Sequence, residues 1–286
     1  MCCDGSVTDN DTDPVALRSI AERLATEAAE YVLRRRAEVF GGAPATPNAA
    51  PAVRAKSTPT DPVTVVDTET ERLIRDRLAE LRPGEHILGE EEGGSTAAHD
   101  GLTWVLDPID GTVNFVYGIE NYAVSVGVQR GGVSLAGAVV NVPTGELYSA
   151  ALGHGAHLRR GEVTTVLRAN TVDELSMSLV GTGFSYAPDQ RIRQAQVLAT
   201  LLPVVRDVRR IGSCALDLCM VASGALDAYY EDGVHVWDWA AAALIAAEAG
   251  AKMLLPTADG AARMVVAAAP GIAEALTGEL RRAGAL

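Results

Sequence analysis

Aromatic residues are scarce in this 286-residue chain, at 5%, and cysteines number only four, with no C-x-x-C spacing. The first shortage leaves core volume to aliphatic side chains and to abundant alanine, which lets helices approach closely. The second argues against a disulfide framework or a thiolate zinc site. Cys2 and Cys3 lie in a polar terminus, and Cys214 and Cys219 in an apolar helical run. No apolar run of membrane-spanning length occurs, and residues 1–13 lack the cationic and apolar regions of a secretory leader. A cytoplasmic location is the expectation. Positive charge is also short: 24 Lys and Arg against 37 Asp and Glu leave a net charge of -13. Nucleic acid and membrane are therefore not expected as partners. There is no G-x-x-x-x-G-K-[ST] loop and no G-x-S-x-G elbow. Nor is there a D-x-D-x-T or a C-x5-R of the covalent phosphatases.

Residues 1–13, small and acidic, read as a disordered tail. A helix is expected from Pro14 to about Phe40, with Asp13 as its cap and Leu17, Ile20, Leu24, Ala28 and Val32 on one face. A Pro/Ala/Gly loop follows at 41–54. "VTVVD" (63–67) reads as a short strand and "TETERLIRDRLAELRPG" as an amphipathic helix. Strand-like runs at about 122–130, 133–142, 146–151 and 155–159 suggest an antiparallel meander. From about 179, strands and helices alternate, which points to an α/β layer. The expected division is a tail (1–13), an N-terminal α+β half of helices and antiparallel sheet (14–152), and a C-terminal α/β half (153–286).

What the chain does have is acid at the ends of apolar runs. Asp67 follows "VTVV", Glu90-Glu91 follow "ILG", Asp107 and Asp110 follow "WVL", and Asp238 follows "VHVW". Carboxylates are rarely buried unless paired or bound to metal. Any one of these could be a solvated strand end or a helix cap; Asp238 would serve as an N-cap. Four together point to a divalent cation held by oxygen ligands. Pro108 fixes the chain so that Asp107 and Asp110 can face one centre with the Ile109 carbonyl between them. Gly111 and Thr112 can then offer N–H groups to a phosphate. Cations gathered on carboxylates would also let an acidic protein bind an anionic substrate. The residues thus point to hydrolysis of a phosphate ester by metal-activated water.

Four blocks resemble the inositol monophosphatase family: "KSTPTDPVTVVDTETE" (56–71), "GEE" (89–91), "WVLDPIDGTVNF" (104–115) and "DAYYEDGVHVWDWAA" (227–241). They occur in family order over about residues 14–283. The resemblance implies a layered αβαβα sandwich and a magnesium-dependent phosphomonoesterase, usually a lithium-inhibited homodimer. It implies that Glu90, Asp107 and the Ile109 carbonyl hold one magnesium and that Asp107, Asp110 and Asp238 hold a second. Glu90 would also touch a weaker third, giving two or three ions per site. Asp67 and Thr112 would orient and deprotonate the attacking water, and Gly111 and Thr112 would hold phosphate. Asp110, Ser213, Cys214 and Glu231 would contact the sugar or polyol. The expected substrate is inositol 1-phosphate or a related small polyol phosphate, because Glu231 accepts hydroxyl hydrogen bonds and repels a second phosphate. Histidinol phosphate ranks next, since its ammonium could pair with Glu231. Fructose 1,6-bisphosphate, 3′-phosphoadenosine 5′-phosphate and a non-catalytic protein-binding role are the remaining alternatives.

Overall fold

A computed structural model describes residues 12–41, 53–56, 62–94, 100–257 and 263–286. The expectations for residues 1–11, Cys2, Cys3 and most of the 41–54 loop lie outside the described residues. Helix α1 spans Pro14–Phe40, and the Asp13 carboxylate accepts the N–H groups of Val15 and Ala16 at its start. β1 (Val53–Ala55) and β2 (Pro62–Thr64) form a two-stranded ribbon. α2 follows at once, over Val65–Leu81. The strand expected at 63–67 therefore ends three residues early. Thr64 and Asp67 make a reciprocal capping box, and this local pair outweighs the β-branched run Val63–Val66.

A seven-stranded sheet follows. In spatial order it contains β3 (His86–Gly89), β4 (Leu102–Asp110), β5 (Ala123–Arg130), β6 (Val133–Asn141), β7 (Glu146–Ala151), β8 (Ala156–Arg160) and β9 (Val163–Val166). β3 and β4 are parallel and the other pairs antiparallel, so the meander is longer than expected at both ends. The division drawn at 152/153 falls inside this sheet. A six-residue helix α3 (Thr112–Tyr117) follows β4.

The rest of the chain builds a five-stranded mixed sheet in the order β11-β10-β12-β14-β13. Its strands are β10 (Leu179–Thr182), β11 (Asp207–Arg209), β12 (Ala228–Asp232), β13 (Lys252–Leu254) and β14 (Met264–Ala268). Helices α4 (Pro188–Leu201), α5 (Cys214–Ala222), α6 (Val236–Glu248) and α7 (Ala273–Arg282) alternate with them. α1 and α2 cover one face of the large sheet; α5 and α6 lie between the sheets; α4 and α7 cover the outer face of the small one. The architecture is the expected αβαβα sandwich. Among the described residues, no helix is long and apolar enough to cross a membrane.

Strand alternation explains how a strand can be buried on both faces. Val124, Val126 and Val128 of β5 pack toward α1 and α2, whereas Ala123 belongs to the layer holding α5 and α6. On that second face α6 comes very close. A Cβ on Gly137 would stand 2.6 Å from the Ala241 Cα, and one on Gly127 would stand 3.1 Å from the Ala240 Cβ. Alanine and glycine facing each other place the start of α6, and so Asp238, hard against the sheet.

Candidate active site

Asp107 and Asp110 are three residues apart, so on a regular strand they would point to opposite faces. The register of β4 against β5 breaks between them: Asp107 pairs with Ser125 and Asp110 with Ala123. Pro108 and Ile109 occupy that irregularity, where a residue without an N–H costs no ladder bond. The break turns both carboxylates to one side. There an oxygen of Asp107, one of Asp110 and one of Asp238 lie within 4.8 Å of one another.

Helix N-termini gather round this cluster. Asp67 is the third residue of α2 and accepts the Thr64 N–H at 2.9 Å and the Thr64 hydroxyl at 2.5 Å. Asp238 is the third residue of α6, not the N-cap, and accepts the His235 N–H at 2.5 Å. Asp110 accepts the Ala215 N–H, in the first turn of α5, and the Ser213 hydroxyl, both at 2.6 Å. Positive helix ends favour acidic groups, and here three of them help to hold carboxylates together in an acidic protein. Asp67 and Asp238, read from the sequence as strand ends, are both helix-capping residues.

Burial and like charge nevertheless oppose ionisation at the site. Burial, then the carboxylates of Glu90, Asp110 and Asp238, hold the Asp107 carboxyl well above its ordinary range. Burial does the same to Asp238, with Asp110 and Glu90 adding to it. Asp110 rises to about 6 through burial, against the opposing hydrogen bonds from Ser213 and Ala215. Burial likewise lifts Asp67 to about 7. Among the described residues, no ion pair reaches Asp107, Asp110 or Asp238. Oxygen-rich, with Asp107 and Asp110 buried and Asp238 half-buried, the three fit a hard divalent ion.

All the expected residues except the fully buried Asp67 line one cavity of about 410 Å³. Its wall includes Glu90, Asp107, Ile109, Asp110, Gly111, Thr112, Ser213, Cys214, Glu231 and Asp238. Glu90 stands beside the three-aspartate cluster rather than in it, and binds the Lys56 ammonium at 2.7 Å. Glu91 binds the same ammonium at 2.5 Å. Burial works against that ammonium's charge, but the two glutamates outweigh it and raise its pKa. The Thr112 hydroxyl lies 3.2 Å from an Asp67 oxygen and 3.0 Å from the Ile109 carbonyl. Gly111 holds a φ of 94°, and a Cβ there would press within 3.0 Å of the Gly212 carbonyl, so the turn requires glycine. Ser213 caps α5, accepting the Leu216 N–H at 3.1 Å while it donates to Asp110. At the far side, Tyr229 donates to Glu231, and burial lifts the Glu231 carboxyl to about 7.

The sequence profile of the inositol monophosphatase family matches residues 13–285. The chain belongs to that family. An inositol-1-monophosphatase of Mycobacterium bovis is 63% identical over 282 residues, covering 96% of this chain and 97% of that protein. The inositol-1-monophosphatase of Mycobacterium leprae is 62% identical over 283 residues, with 96% and 97% covered. Among solved structures, Mycobacterium tuberculosis SuhB superposes with a TM-score of 0.82 at 58% identity, over 96% of this chain and 100% of that one. Membership of the inositol monophosphatase family supports a phosphatase acting on small phosphorylated molecules, with an acidic cluster suited to metal.

Some residues at the site were not singled out from the sequence. Tyr229, which donates to Glu231 but does not line the cavity, could be found from the sequence, because residues two apart on a strand share a face. Lys56 lay within a quoted block but was given no role. His235 and Trp237, whose place just before Asp238 the sequence already marks, stack with 4.8 Å between ring centres and line the cavity, as does the Gly183–Ala187 segment. Nothing local marks the latter.

Proposed function

We propose that this protein is a magnesium-dependent phosphomonoesterase that hydrolyses inositol 1-phosphate or a closely related polyol phosphate. The observation that carries the reading is the cluster of Asp107, Asp110 and Asp238, three acidic side chains with oxygens within 4.8 Å of one another. Together with Glu90 and the Ile109 carbonyl, they would hold two magnesium ions, and Glu90 would share a third. When bound, magnesium would supply Lewis acidity at the phosphate, a water of lowered pKa and charge stabilisation for the leaving alkoxide.

The chain's own groups supply the rest. Asp67 accepts the adjacent Thr112 hydroxyl at 3.2 Å, and the pair would align the attacking water, with Asp67 as its base. The N–H groups of Gly111 and Thr112, at the start of α3, would hold phosphate oxygens. Asp110, Cys214 and Glu231 face the space beyond, where hydroxyls of the polyol would bind. Ser213 would act there through Asp110, to which its hydroxyl already donates. The homodimer, lithium inhibition and cytoplasmic location implied by the resemblance belong to this same reading.

The experiment is a substrate panel: phosphate release with magnesium from inositol 1-phosphate, histidinol phosphate, fructose 1,6-bisphosphate and 3′-phosphoadenosine 5′-phosphate. The reading expects the first to be turned over best. Preference for histidinol phosphate would reassign Glu231 to an ammonium. No turnover of any, by folded protein, would favour a role through protein partners.

A further inference from the structure

Glu71 is fully buried one helical turn beyond Asp67 on α2, and it touches none of the reacting groups. Its carboxylate reaches instead under the turn that carries Glu90. One oxygen accepts the Glu91 N–H at 2.7 Å and the other accepts the Glu92 N–H at 3.0 Å. Arg75 donates to the same carboxylate at 2.8 Å and, through a second nitrogen, to the Gly93 carbonyl at 2.5 Å. The turn is closed by the Gly89 N–H on the Gly93 carbonyl, and the Glu90 N–H ties it to the Leu106 carbonyl of β4. A Cβ on Gly89 would fall 2.2 Å from a Glu71 oxygen, so the carboxylate lies directly against the turn's backbone.

A buried carboxylate is tolerable only when paired and hydrogen-bonded, and Glu71 is both, with one cation and two amides. Its position on α2 is equally telling. Residues at i and i+4 share a helix face, so one face delivers Asp67 to the Thr112 hydroxyl and Glu71 to the turn. Lys56 holds the Glu90 and Glu91 side chains from the other side. The direction of Glu90 is thus fixed from below by a residue that no ligand pattern includes.

We propose that Glu71 is a positioning residue for Glu90. By clamping the Glu91 and Glu92 amides it holds the Glu90 carboxylate toward the aspartate cluster, and so sets the affinity for divalent cations without touching one. This rests on the metal-site reading above. Glu71→Gln keeps the shape but replaces one acceptor by an NH2 donor that must face an amide or Arg75. Gly89→Ala expels the same carboxylate sterically, and Arg75→Met loosens it from the helix side.

The test is Mn2+ binding to the full-length protein by calorimetry, well below the melting temperature, with phosphate release measured separately at saturating metal. Supporting groups behind metal ligands are worth about 10- to 100-fold in affinity. Glu71→Gln and Gly89→Ala should weaken Mn2+ by at least about 10-fold, and Arg75→Met by less. The kcat at saturating metal and the KM for substrate should stay near wild type. Unchanged Mn2+ affinity with only a lower melting temperature would make Glu71 a stability element and overturn the proposal. Should Glu71→Gln fail to fold, Gly89→Ala and Arg75→Met decide by the same criterion. No Mn2+ binding by the wild type would overturn the metal reading and the clamp together; wild-type binding that all variants keep would overturn the clamp alone.

Discussion

Replacing Asp107 by Asn should stabilise the metal-free protein while destroying its activity. Asp107 is 1% exposed and stands among Glu90, Asp110 and Asp238. At neutral pH it either carries a charge out of water or binds a proton that the unfolded chain has released, and both cost stability. Holding a carboxylate out of water costs several kcal/mol even after relaxation, and the raised Asp107 carboxyl reflects that cost. Asn removes that cost and relieves repulsion on Asp110 and Asp238. Its carbonyl oxygen can still accept the Ile109 N–H that Asp107 accepts at 3.0 Å. Its NH2 group, left short of partners, returns about 1–3 kcal/mol. The net is a gain of ~2 kcal/mol, or ~4–8 °C in melting temperature for a chain near this size. The assay is thermal melting at pH 7.5 in EDTA and again with millimolar magnesium. In EDTA the variant should melt above wild type; with magnesium the wild type should rise and the variant should not. A raised acid pKa carries stability that is present below the unfolded value and lost as pH rises through the folded one. The gap between the two proteins should therefore widen from pH 4 to pH 7.5. A variant that melts below wild type in EDTA, or a gap indifferent to pH, would refute the reasoning.

The same sign applies to the wild type: with Asp110 lifted to about 6 and Asp67 and Glu231 to about 7, its metal-free stability should fall as pH climbs from about 4 to 7. Melting temperatures across that range in EDTA check this, and a rise would contradict it. Thr112→Val should lower kcat by about 10²- to 10⁴-fold if the hydroxyl aligns the proton transfer, leaving the magnesium concentration for half-saturation little changed. A kcat within threefold of wild type would remove Thr112 from that role. Gly137→Ala drives a methyl to 2.6 Å from the Ala241 Cα, which should cost about 1–3 kcal/mol in urea unfolding. No loss would mean that the α6–sheet contact can give way.

The legible parts of the chain were those with local causes. α1 was legible because Asp13 and Pro14 announce its start and its apolar positions keep helical spacing. Asp107 and Asp110 stood out because charge inside an apolar run demands a partner. The start of α2 was misread because Val63, Val65 and Val66 favour a strand, while the decisive signal, Thr64 paired with Asp67, is a single capping contact. β9 was missed because all four of its residues are exposed and show no alternation. The order of the five-stranded sheet rests on pairings between residues far apart in sequence, such as Val180 with Ala228 and Tyr229 with Ala267. Glu71 reads locally as one more glutamate on an amphipathic helix, and its meaning appears only when the Glu91 and Glu92 amides arrive above it.

The central claim is that Asp107, Asp110 and Asp238 hold the cations on which phosphate hydrolysis depends. Its most direct measurement is phosphate release from inositol 1-phosphate as magnesium is titrated into EDTA-treated enzyme, with Asp238→Asn run alongside. The account predicts no turnover without magnesium, saturable recovery on adding it, and recovery in the variant that is lost or shifted to far higher magnesium. Turnover that ignores magnesium, or a variant that recovers on the wild-type curve, would contradict it.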